Sequence, residues 1–101
     1  MRNLLAILAL TGTACAGDAA PDARLLTRLV HQDCGSCHGM TLKGGLGPDI
    51  RADKISHYTP ERLKAVILDG MPGTPMPPWR PLLTDAEADW IVRYLLEGGE
   101  S

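Results

Sequence analysis

The rhythm of apolar and polar positions changes several times along the chain, and each change marks an expected element. Leu4 to Leu10 is an unbroken apolar run behind a lone Arg2 and ahead of small residues, the pattern of a secretory leader. The run is too short to span a bilayer as a mature helix. Two processing routes fit it. Ala14-Cys15-Ala16 satisfies the A-x-A rule, so residues 1–16 are removed before Gly17. Alternatively the leader is residues 1–14 and Cys15 becomes a lipidated first residue, although Gly12 stands where leucine is usual.

From Asp18 to Gln32 the apolar positions Leu25, Leu26, Leu29 and Val30 recur at helical spacing, and Pro21 suits a first turn. Gly39 to Tyr58 has no sustained periodicity and carries Gly44, Gly45 and Gly47 ahead of Pro48, which predicts a loop. A second helix is expected behind Thr59 as cap and Pro60 as first residue, with Leu63, Val66 and Ile67 on its apolar face and Gly70 as its stop. Met71 to Pro81 holds five prolines, so it is extended and stiff. Thr84 and Glu87 have capping-box spacing and open a last helix, with Trp90, Ile91, Tyr94 and Leu95 on one side as far as Gly98. No strand alternation or internal repeat interrupts the series. The expected class is therefore all-α, three to four helices in one domain over residues 17–101.

Composition sharpens this picture. The chain has 101 residues, no phenylalanine, and only Tyr58, Trp79, Trp90 and Tyr94 as aromatics, so its side chains alone make a thin, mainly aliphatic core. Such a domain is suited to wrapping a large apolar group. Formal net charge is -2 and becomes -3 when a leader containing Arg2 is removed, so nucleic acid is not expected as a partner.

The chemistry that supplies the apolar group is in Cys34-Gly35-Ser36-Cys37-His38. Two thiols separated by two residues match the two vinyl groups on one edge of a porphyrin, and the adjoining imidazole then lies beneath the iron. Cys34 and Cys37 are the expected thioether anchors of one haem c, with His38 as the fifth iron ligand. A zinc site needs four ligands, which His31 and His57 do not provide at useful spacing. A redox dithiol of the thioredoxin kind belongs beside a strand-helix-strand pattern, and none is found. Haem c is attached in the periplasm, where both leader routes deliver the chain.

Leader, helix, CxxCH, Gly47-Pro48, helix, Met76-Pro77, and Leu83-Thr84-Asp85-Ala86-Glu87 follow one another in an order that resembles the small class I cytochromes c over the whole mature chain. More narrowly, Ile67 to Leu83 resembles the NirC-like cytochromes found with the dissimilatory nitrite reductase that carries haem c and haem d. The resemblance implies that the terminal helix crosses the first, setting Trp90 and Tyr94 against Leu25, Leu26 and Leu29. It implies Met76 as the sixth ligand, a thioether that favours ferrous iron. Met71 is the rival thioether, whereas Met40 is tethered to the wrong face. It also implies that the Pro48 carbonyl accepts the second ring N–H of His38. Trp79 either reaches a propionate at the haem rim or packs against the haem edge. Arg51, Lys54 and Arg80 are basic side chains of no assigned role, His31 is read as a surface or capping residue, and His57 is a rival sixth ligand.

The function expected is that of a periplasmic, monomeric, one-electron carrier with no catalytic constellation, because Met76 closes the iron position that an enzyme would keep open. Its partners are redox proteins, with nitrite reductase or the assembly of its special haem as the setting, and it meets a membrane only if Cys15 is lipidated. The alternatives are a gas-binding sensor in which Met76 dissociates and, more remotely, a dithiol or zinc protein.

Overall fold

The computed structural model describes residues 20–99, and among them every regular element is helical. The leader, both processing routes and Cys15 lie outside those residues. Helix α1 (Ala23–Leu29) runs through a π-turn (Val30–Cys34) into α2 (Gly35–His38), so these three pieces form one rod. It is followed by α3 (Ala52–Ile55), α4 (Pro60–Asp69) and α5 (Asp85–Leu96).

The first rod differs from the expected helix at both ends. It starts later because Asp22, whose side chain accepts from the N–H groups of Arg24 and Leu25, is the N-cap, leaving Pro21 outside the first turn. It ends later because the Gly35 N–H reaches back five residues to the Val30 carbonyl, a π-type bond that absorbs one extra residue and lets the helix continue through the CxxCH segment. The stretch from Gly39 to Tyr58 is not loop throughout. The single turn α3 buries Ile55, half-covers Ala52 and exposes Asp53 and Lys54, and one turn is too short to leave a periodic trace in sequence.

The remaining expected boundaries agree with the structure. Thr59 Oγ1 accepts from the Arg62 N–H, Pro60 opens α4, and Gly70 closes it at φ 75°. Thr84 and Glu87 satisfy each other's backbone N–H groups in a reciprocal capping box, at 3.1 and 2.9 Å.

Rod one and α4 both pack on α5, and one core joins Leu26 and Val30 to Leu68, Ala88, Ile91 and Leu95. Leu29, Trp90 and Tyr94 lean on this core as expected, but Leu25 does not: it is 56% exposed, outside the face that Leu26, Leu29 and Val30 turn to the core. Trp90 and Tyr94 stack at 5.1 Å, one turn apart on α5. The core is small and aliphatic, and it lies to one side of a large cleft.

Candidate haem-binding site

That cleft is a cavity of about 650 Å³ between α2, the segment Leu46–Ile50, α4, the segment Met71–Trp79 and one face of α5. Its walls are apolar where the helices face it: Ile55, Leu63, Val66, Ile67, Ile91 and Leu95. The π-turn places the CxxCH segment at its edge, so that Cys34, Cys37 and His38 all line it. Cys34 and Cys37 are both free thiols.

His38 is held by its ring. Nδ1 lies 2.7 Å from the Pro48 carbonyl oxygen, which can only accept, so Nδ1 carries the proton and Nε2 is left with its lone pair for a metal. Gly47 allows this approach: a Cβ there would sit 2.8 Å from the ring Cε1. The loop that brings Pro48 back is tied by backbone bonds. The Gly44 N–H donates to the His38 carbonyl and the Gly47 N–H to that of Cys37, both at 2.7 Å.

Met71, Met76 and His57 line the same cavity, so the structure brings the expected sixth ligand and both of its rivals to it. His57 is exposed and leans on Tyr58, with ring centroids 4.1 Å apart. Met76 is half-buried, and its backbone is pinned: its N–H donates to Thr74 Oγ1 and its carbonyl accepts from the Met71 N–H. Trp79 lines the cavity and packs against the core, and its N–H donates to the Ile67 carbonyl. Of the three basic candidates, Arg51 and Arg80 are engaged by aspartates, Arg51 by Asp49 and Arg80 by Asp69, while Lys54 lines the cavity.

Electrostatics separates the candidate chemistries. Burial, reinforced by the negative charge of Asp33, pushes the Cys34 thiol up to about 11. A redox dithiol needs the opposite shift, toward a thiolate at neutral pH. Among the described residues, no three His, Cys, Asp or Glu side chains converge as a zinc site requires. The residues present fit a haem instead: two free thiols, an oriented imidazole, a thioether in the same lining and a mainly apolar cleft of ligand size.

Sequence reasoning missed one part of this neighbourhood. His31, expected to be a surface or capping residue, is half-buried and bridges the Met40 carbonyl and the Tyr94 hydroxyl. No local pattern announces a bond between positions 63 apart.

Residues 21–95 match the family described as cytochrome C oxidase, cbb3-type, subunit III. Cytochrome c55X of Paracoccus denitrificans is 54% identical over 99 residues, covering 95% of this chain and 94% of that one. The chain belongs to the NirC-like class I cytochromes c. In its solved structure the c-type cytochrome NirC shares 49% identity and superposes with a TM-score of 0.73, covering 76% of this chain and 94% of its own. A protein named dihydro-heme d1 dehydrogenase, from Pseudomonas aeruginosa, is 38% identical over 90 residues, which are 89% of this chain but 17% of that one. Membership of this family implies covalently bound haem c with iron and the role of a cytochrome c-type electron carrier. No helix among the described residues is long and apolar enough to cross a membrane.

Proposed function

We propose that residues 17–101 form a periplasmic, monomeric carrier of a single haem c and of one electron, working beside the nitrite reductase that holds haem c and haem d, or in the assembly of that special haem. Cleavage before Gly17 releases it; lipidation of Cys15 is the competing route. The observation that carries the reading is the ring of His38, oriented by Pro48 over a cavity edged by Cys34, Cys37 and Met76. The likeness to a dihydro-heme d1 dehydrogenase supports the setting.

In this reading Cys34 and Cys37 would anchor the haem by thioethers, His38 and Met76 would ligate its iron, Pro48 orients His38, and Trp79 would reach a propionate or pack against the haem edge. Haem c supplies a one-electron ferric/ferrous couple. The chain's own part is to hold both ligand side chains in place, His38 through Pro48 and Met76 through Thr74 and Met71. Pro48 fixes the orientation of the His38 imidazole and would strengthen it as a donor to a metal. The thioether of Met76 favours the ferrous state. The apolar walls of the cavity would limit the access of water to the bound group, which suits a carrier.

Met76→Ala tests the assignment. Haem should remain attached while the methionine-to-iron absorption band vanishes, and the potential should fall by part of the roughly 0.8 V that axial ligands span. Met71→Ala should leave both nearly unchanged. If Met71→Ala abolishes the band and Met76→Ala keeps it, the ligand assignment is overturned. Anaerobic mixing of the reduced protein with nitrite reductase tests the setting, and failure to transfer electrons counts against it.

A further inference from the structure

The structure assigns His31 a positioning role: it clamps the terminal helix to the backbone that leaves His38, and so holds the loop that orients the proximal imidazole. His31 Nδ1 lies 2.9 Å from the Met40 carbonyl oxygen and Nε2 lies 2.7 Å from the Tyr94 hydroxyl. A carbonyl can only accept, so Nδ1 donates to it, and Nε2 of the neutral ring accepts from the tyrosine O–H. The two rings meet edge to face, 5.8 Å apart at 88°. One half-buried side chain therefore joins the first rod, the loop and α5.

The π-turn makes this geometry available. In an unbroken α-helix, residues seven apart share a face, which would send His31 toward the same side as His38. The extra residue accommodated between Val30 and Gly35 offsets that register by about 100°. His38 then lines the cavity while His31 meets α5.

The clamp bears on the proximal side because Met40 begins the return loop. Its side chain is 66% exposed, and its backbone lies so close to α2 that a Cβ on Gly35 would stand 3.2 Å from the Met40 Cα. Two residues later Leu42 takes a left-handed backbone at φ 65°, a strained conformation for a branched side chain that its burial and its bonds to Gly39 and Ile50 sustain. The loop ends in the carbonyl of Pro48. Releasing Met40 loosens this path, weakens the Pro48 bond and makes the imidazole less basic, which favours reduced iron.

The inference rests on the reading of His38 as an axial ligand. Haem-loaded wild-type protein, His31→Leu, Tyr94→Phe and Leu26→Ala are titrated side by side at one pH for midpoint potential, with thermal melts alongside. His31→Leu should raise the ratio of reduced to oxidised protein at a fixed applied potential by about fivefold, the equivalent of one hydrogen bond. Tyr94→Phe should move it the same way by less. Leu26→Ala removes neighbouring core and should lower Tm while leaving the ratio alone. Haem-loaded His31→Leu and Tyr94→Phe with the wild-type ratio overturn the clamp and spare the ligand reading. If His31→Leu fails to accumulate, Tyr94→Phe decides. A wild-type protein without haem bands overturns both.

Discussion

On one side of the cavity the chain from Gly39 to Pro48 is rich in glycine; on the other, Met71 to Pro81 is rich in proline. Both segments must hold a proposed iron ligand still. The glycine segment does so with backbone bonds, its N–H groups at Leu42, Gly44, Gly45 and Gly47 all finding nearby carbonyls. Its flexibility is what lets the chain approach the His38 ring closely, and the bonds then offset the entropy lost. The proline segment has few N–H groups to donate and less freedom to lose. Those it has are used: Met71 and Thr74 donate within the segment, to the carbonyls of Met76 and Met71, Met76 donates to Thr74 Oγ1, and Trp79 and Arg80 donate to the carbonyls of Ile67 and Leu68. A ligand loop can thus be made rigid by bonds alone or by bonds joined to stiff covalent geometry, and the two should fail differently.

The largest effect is expected where both sides lose what they enclose. Cys34→Ala with Cys37→Ala should abolish covalent haem, seen as loss of haem stain on a denaturing gel, and should cut the yield of folded protein severely because the core is thin. Undiminished stain would contradict the anchoring.

Next come the two glycines that permit close approach. Gly47→Ala places a Cβ 2.8 Å from the His38 ring, and Gly70→Ala places one 2.8 Å from the Met76 carbonyl oxygen at a φ that alanine resists. Each should cost about 1–3 kcal/mol in chemical denaturation. Spectroscopically they should part: Gly47→Ala disturbs the proximal histidine signals, and Gly70→Ala weakens the methionine-to-iron band. Identical spectra for the two variants would erase the distinction drawn between the loops.

Acid should act on both segments weakly. The Arg51 guanidinium hydrogen-bonded to Asp49 holds that carboxyl down to about 2, from 3.8, and Arg80 lowers Asp69 in the same way. The folded state therefore binds these protons less readily than the unfolded chain. The contribution of Asp49 is complete above the ordinary carboxylate range and is lost as pH falls from about 4 toward 2, and that of Asp69 is lost in the same direction. Melts of Asp49→Asn should lack that part of the acid decline, and an unchanged pH profile would show the pair to be inert.

The smallest effect belongs to Arg80→Ala. The fork of Arg80 on Asp69, at 2.8 and 2.9 Å, is solvent-exposed, so screening leaves it little to contribute. Tm should barely change. A large drop would mean that the proline segment depends on its ion pair rather than on its own stiffness.

Much of this protein was legible in the order of its residues, because the deciding interactions span few positions. The spacing of Cys34, Cys37 and His38, the Thr59 cap, the Thr84–Glu87 capping box and the prolines around Met76 act within a turn or a loop, and a chain carries such relations wherever it goes. Tertiary structure decided what depends on partners far along the chain. The continuation of the first rod through a π-turn, the burial of Ile55 on the single turn of α3, the exposure of Leu25 and the bond from His31 to Tyr94 have no local signature. The burial of Ile55 and the bond of His31 follow from how α3 and the first rod pack on α5. A helix's periodicity says that a face will be buried, but only packing decides which residue at its margin is covered and which polar group there finds a partner.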